Sequence, residues 1–312
     1  MSASPDNRHQ RTQANAARYA DAVRHDAEDA AAYFPALLVE AEHIAQTVAA
    51  GLHGRRRAGP GETFWQHRPY GFGDPVGAID WRQSARAPDR LYVRQNEWEA
   101  AAAVYLWRDP SRSLDYASRA GTPTKRRRAD TLAVALSMLL AQAGERIGLL
   151  GEERRPFHGR TAPERLLEAL HVERFDDQAG APPPAHPPAG ARIVLFSDFF
   201  MDESAISMAV SSLAGAGATG VLVQLTDEAE ETFPFRGRTA FENMEGPGRL
   251  IFGDAHAIAE AYRTKFAAHR DMLRALASRT GWSLITHRTD KPAQTALLSL
   301  YTALGDARVW AR

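Results

Sequence analysis

Two hydrophobic periods alternate along this chain. Between residues 37 and 52, Leu37, Ala41, Ile44, Ala45, Val48 and Leu52 recur every three or four positions, which places them on one face of a helix. Gly51, Gly54 and Arg55-Arg56-Arg57 follow as a helix end with positive charge near its carbonyl terminus, and Gly59-Pro60-Gly61 breaks the chain. From residue 100 onward, short apolar runs alternate with helical ones. Strands are predicted at 103–107, 147–150, 193–196, 220–225 and 282–286. Helices are predicted at 129–143, 163–171, 204–215, 255–280 and 292–304, with a hairpin-like stretch at 232–252. Such alternation predicts a three-layer α/β fold, a mostly parallel sheet with helices on both faces.

Residues 62–99 follow neither period. Aromatics, glycines and paired charges crowd together there, and only 91–95 reads as a strand. The predicted organisation is a disordered N-terminus over 1–17, a helical segment over 18–58, a segment over 59–99 packed on the main domain, and an α/β domain over 100–312. A loop with five prolines at 178–190 lies on the surface of that domain.

Composition narrows the function classes. The 312 residues are 44% hydrophobic and 24% charged, as in soluble globular proteins. The absence of cysteine removes disulfides, Cys-ligated zinc, iron–sulfur clusters and thiol nucleophiles. Thirty-eight Lys and Arg balance thirty-eight Asp and Glu, so no global field favours nucleic acid. The first residues carry no secretory pattern, and the apolar stretches Ala100–Trp107 and Leu132–Ala143 fall short of the ~20 residues that span a bilayer. A cytoplasmic protein without direct membrane insertion is expected. Gly215-Ala216-Gly217-Ala218-Thr219-Gly220 matches G-x-G-x-x-G but precedes a strand, the reverse of the dinucleotide-binding order, and reads as a helix stop. The basic run Lys125-Arg126-Arg127-Arg128 is expected on a solvated face, with contact to an acidic partner as the alternative.

The remaining chemistry gathers at strand ends, where parallel sheets bind ligands. One strand runs into Asp109-Pro110-Ser111-Arg112-Ser113, another into Ser197-Asp198, and Thr161 precedes a helix between them. These hard oxygen donors suit Mg²⁺ or Mn²⁺ with a coordination place left for an outside carboxylate. Thr122 and Thr124 compete with Thr161, and plain turn and cap roles compete with all of them. In the aromatic segment, Arg68, Asp74, Asp80, Arg82 and Arg86 can form a paired network over Tyr70, Phe72 and Trp81. Such a network would act as an internal clamp or as a docking face for a partner.

The D-P-S-R-S run, followed in order by Thr161 and Ser197-Asp198, resembles the metal-ion-dependent adhesion site of von Willebrand factor A domains. The series Arg68-Pro69-Tyr70, Gly73-Asp74, Ile79-Asp80-Trp81-Arg82 and Ser84-Ala85-Arg86 resembles the R-x-Y-x-x-G-D-x-x-x-x-I-D-W-x-x-S-A-R signature of the DUF58 family. That resemblance implies a von Willebrand A-like fold and a non-enzymatic interaction module working with a MoxR-type AAA+ ATPase or its client. It also implies that Ser111, Ser113 and Thr161 touch the metal while Asp109 and Asp198 hold its waters. A metal-free scaffold of the same fold and a metal-assisted hydrolase are the alternatives.

Overall fold

The computed structural model of this chain describes residues 35–49, 64–71, 79–86, 90–96, 103–152, 155–172, 180–244 and 248–310. The expected disordered stretch 1–17 and the start of the N-terminal helix lie outside them.

Helix α1 spans 35–49 and buries the predicted face, with Leu37, Ala41, Ile44, Ala45 and Val48 all inside. Strands β1 (Phe64–Pro69) and β2 (Tyr92–Asn96) pair antiparallel, linked in part by the one-turn helix α2 (Trp81–Ser84). Sequence periodicity misses β1. The strand carries Gln66, His67 and Arg68 among its six residues, so no alternation of apolar and polar positions marks it.

The main sheet holds β3 (Ala103–Arg108), β4 (Arg146–Leu149), β5 (Arg192–Ser197), β6 (Thr219–Thr226) and β9 (Ser283–Arg288). Its order is β4-β3-β5-β6-β9, and every pairing is parallel. Successive strand residues feed opposite cores, as the two-residue strand period requires. Val194 and Phe196 of β5 join Val104, Leu106, Val221 and Val223 in one apolar cluster. That cluster is covered by α1, α3 (Lys125–Gln142), α4 (Ala162–Val172) and α8 (Ala293–Trp310). Ile193 and Leu195, between them on β5, face α5 (Glu203–Gly215) and α7 (Ala259–Thr280) on the other side. The three-layer, Rossmann-like α/β architecture is thus as expected.

Two details depart from the pattern. The predicted hairpin is present as the antiparallel strands β7 (Thr239–Glu242) and β8 (Arg249–Phe252), but a short helix α6 (Glu228–Thr232) that the pattern does not mark precedes it. Helix α3 starts four residues before its predicted N-terminus, because Thr124 caps it by accepting from Arg127 N at 3.1 Å and the basic run forms its first turn. The G-x-G-x-x-G stretch does end α5 at Gly215, with Gly217 at φ +82° in the turn before β6.

Candidate functional site

Strands β3 and β5 lie side by side, yet the chain leaves β3 for β4 on the far flank. The strand order reverses between them, which is the place where open parallel sheets bind ligands. Asp109, one residue past β3, is tied to β5 by its backbone N–H, which donates to Phe196 O at 2.9 Å. Its carboxylate is 1% exposed and accepts from Ser111 N at 2.8 Å and from the Ser197 hydroxyl at 2.5 Å. Burial pushes the Asp109 pKa up to about 6; the Ser197 hydrogen bond opposes that shift and the charge of Asp198 adds to it.

Ser111 and Ser113 flank the start of a short 3-10 turn, Arg112–Asp115, and their hydroxyl oxygens stand 3.0 Å apart. Arg112, between them in sequence, is exposed. The loop is braced from inside by two guanidiniums. Arg126 donates to Pro110 O at 3.2 Å and Ser111 O at 2.8 Å and pairs with Asp115 at 2.5 Å. Arg108 donates to Leu170 O at 2.6 Å and pairs with Asp130 of α3 at 3.0 Å.

Asp198 meets a cation of the protein itself. Its Oδ2 accepts from Lys125 Nζ at 2.7 Å, and its Oδ1 accepts from Phe200 N at 3.0 Å. Lys125 is 1% exposed and donates a second hydrogen bond to Glu230 of α6 at 2.5 Å. The rings of Tyr116 and Phe200 lie 5.8 and 5.4 Å from its ammonium. Burial works against the charged form, but the two carboxylates outweigh it and hold the Lys125 pKa above its ordinary value.

The expectation of a solvated basic face is therefore corrected. Lys125, Arg126 and Arg128 are buried, and the run splays onto five different parts of the fold. Lys125 reaches β5 and α6, Arg126 the D-P-S-R-S loop, Arg127 Glu40 of α1 at 3.2 Å, and Arg128 the carbonyl of Thr289 at 2.9 Å. Four cations on a helix N-terminus oppose its dipole. Carboxylates on Asp198, Glu230, Asp115 and Glu40 reverse that penalty, which no local pattern reveals.

Thr161 does not join the others. Phe157 bridges Ile147 antiparallel, so the chain after β4 runs back toward the amino edge of the sheet. Thr161 is exposed at the start of α4 on that side, and α4 then climbs to bring Leu170 to Arg108 at the carboxyl edge. Nine residues of helical rise, about 13 Å, separate Thr161 from that level. The rival Thr124 spends its hydroxyl on the α3 cap.

The aromatic segment divides into a structural and an exposed half. Asp80 caps α2 by accepting from Arg82 N at 3.1 Å and Gln83 N at 3.0 Å. Ser84 Oγ donates to Asp80 O and accepts from Tyr92 N at 2.9 Å, which fastens α2 to β2. Tyr70 N donates to Leu91 O, and Ile79 is buried. The expected packing of Trp81 beneath a charge network is corrected: its ring is 62% exposed, and Arg82 and Arg86 beside it are exposed and make no ion pair among the described residues. Asp74, Phe72 and the side chain of Arg68 lie outside the described residues.

Sequence reasoning missed Lys125 and Glu230 as site residues. The available signal was Asp227-Glu228-Ala229-Glu230-Glu231, an acidic helix start directly after a β-strand and hence at the same edge as the strand-end carboxylates. Comparison with curated proteins and with solved structures returns no match. A family model described as "Protein of unknown function DUF58" matches residues 66–272, about two-thirds of the chain and both motif-bearing regions, and the chain belongs to that family.

Proposed function

We propose that this chain is a non-enzymatic protein-interaction module that holds an acidic side chain of a partner at the carboxyl edge of its sheet. The Ser111–Ser113 hydroxyl pair carries the reading. Two adjacent ligands of octahedral Mg²⁺, each about 2.1 Å from the ion, stand about 3.0 Å apart. The two hydroxyl oxygens have that separation, 3.0 Å. Beside them, Asp109 is a buried carboxylate whose pKa burial pushes up to about 6. The donor set fits Mg²⁺ or Mn²⁺, with Ser111 and Ser113 touching the ion and Asp109 holding its waters. Such an ion supplies an open coordination position to an outside carboxylate. Arg126 and Arg108 hold the loop in shape for this, and Lys125 neutralises Asp198 so that the incoming acid meets no bare second charge.

The partner in this reading is a MoxR-type AAA+ ATPase or the client it remodels, and the exposed Trp81, Arg82 and Arg86 give a second contact of residue types that anchor interfaces. The Lys125–Asp198 pair favours one competing version, a metal-free scaffold in which the lysine takes the place of a metal beside Asp198.

Melting in Mg²⁺ separates the two. At about a hundred times Kd, the ion stabilises the wild type by ~2.7 kcal/mol and raises the melting temperature by several degrees, and Ser113→Ala abolishes the rise. Identical melting with and without metal, joined to partner capture that survives EDTA, would establish the metal-free version. Trp81→Ala leaves the melting temperature nearly unchanged, as exposed substitutions do, and weakens capture of the ATPase in a pull-down; undiminished capture would remove that face from the interface.

A further inference from the structure

We propose that this chain binds one small inorganic anion, of the halide class, in a buried niche between the first turn of α3 and the end of β9, formed by Arg128, His287 and Thr289. Among the described residues three polar atoms there have no hydrogen-bond partner: Arg128 Nε, His287 Nε2 and Thr289 Oγ1. Their residues are 8%, 6% and 1% exposed, so bulk water does not satisfy them. They share one place in the fold. The Arg128 guanidinium donates to Thr289 O at 2.9 Å, and its charge is felt by His287 two residues earlier on β9.

Arg128 also lacks a counter-charge. Among the described residues no carboxylate lies within 4.0 Å of it, unlike every other cation of its run. Glu40 and Asp290 are the acids near enough to act on it, and both are engaged elsewhere. Glu40 pairs with Arg127 at 3.2 Å, and Asp290 forms a two-pronged pair with Arg288 at 2.6 and 2.8 Å and meets Lys291 at 3.4 Å. An unpaired buried charge costs several kcal/mol, and an unmade buried hydrogen bond adds to that.

The donor chemistry selects the ligand. Arg Nε–H can only donate, the threonine hydroxyl can donate, and imidazole Nε2 donates in one of its neutral tautomers. An acceptor bearing a negative charge satisfies all three and balances the guanidinium. A water molecule can meet the three groups when Nε2 is the accepting nitrogen, but it leaves the guanidinium charge uncompensated. Burial of all three residues leaves a partner's side chain no route in, which points to a monatomic ion.

Bromide is the probe. Crystals grown without halide and soaked in sodium bromide are expected to show an anomalous peak in contact with Arg128 Nε and Thr289 Oγ1. Thr289→Val keeps the side-chain volume and the carbonyl that Arg128 uses while removing one donor, and is expected to reduce the bromide occupancy several-fold. In solution, chloride is expected to raise the wild-type melting temperature above that in gluconate at equal ionic strength, and to do so less in Thr289→Val. No anomalous peak, an ordered water in the niche despite bromide, a peak unchanged by Thr289→Val, or a chloride response equal in both proteins would overturn the proposal. An adventitious ion only, a peak without the chloride response, would overturn it as well.

Discussion

Replacing Lys125 by methionine is expected to lower the melting temperature by roughly 10 °C, the largest effect of any single change at the site. Among the described residues the ammonium is the only cation bonded to Asp198, which is 1% exposed, and it also holds Glu230. Methionine fills similar volume but leaves Asp198 and Glu230 with backbone N–H donors and no cation. Removing one member of a buried pair typically costs about 3–5 kcal/mol because the other charge stays behind uncompensated. A domain of this size shifts by about 2–4 °C per kcal/mol. The double change Lys125→Met with Asp198→Asn separates the causes. Neutralising the stranded carboxylate is expected to recover a large part of the loss, measured by urea or thermal unfolding. A single variant as stable as wild type would show that the pair is not what holds α3 and α6 at the end of β5.

The second large effect is a pH dependence centred on His287. Burial pushes its pKa down to about 4, with the Arg128 charge acting the same way and Asp290 opposing. In the unfolded chain the imidazole titrates near 6.5. Between these values the unfolded state binds the proton and the folded state does not, so stability falls as pH falls through this window. The full span corresponds to about 3 kcal/mol. Urea unfolding at pH 7.5 to 4 in halide-free buffer, on wild type and His287→Gln, isolates it, since the other carboxylates titrate alike in both. The difference between the two proteins is expected to move by about 3 kcal/mol across the window, in the direction that makes acid costlier for wild type. Parallel curves would mean that the imidazole takes up its proton as readily in the folded protein as in the unfolded chain.

The centre of the sheet was legible because its strands are buried on both faces. The predicted runs at 193–196 and 220–225 lie inside β5 and β6, whose residues alternate between two apolar clusters. A continuous apolar run is what such a position demands. The site was legible to the extent that it is local. Asp109, Ser111 and Ser113 lie within five residues, and Ser197-Asp198 ends a strand that hydrogen-bonds to theirs. What escaped was long-range charge. Lys125 lies 73 residues from Asp198 and 105 from Glu230, and a basic run reads as surface until its acids are placed in space. Thr161 failed for the complementary reason. Its order in sequence fits the expected motif, but the antiparallel return at Phe157 carries it to the opposite edge of the sheet. In the aromatic segment, Asp80 and Ser84 make backbone contacts while Trp81 between them faces outward, a division that residue type alone does not disclose.

The turn after Asp198 ties the site to the far layer of the molecule. Phe199 sits at φ +61°, a backbone region that bulky side chains rarely occupy, and is fully buried in the cluster formed with α5 and α7. Its N–H donates to the Ser197 hydroxyl at 2.7 Å, and that hydroxyl donates in turn to Asp109. The ring thus acts as an anchor bolt: packed among close-fitting helices, it fixes the backbone that presents the Ser197 hydroxyl to Asp109. The carboxyl edge of the sheet and the α5–α7 layer are thereby joined by one short run of chain, so that a substitution at Phe199 would be felt at Asp109.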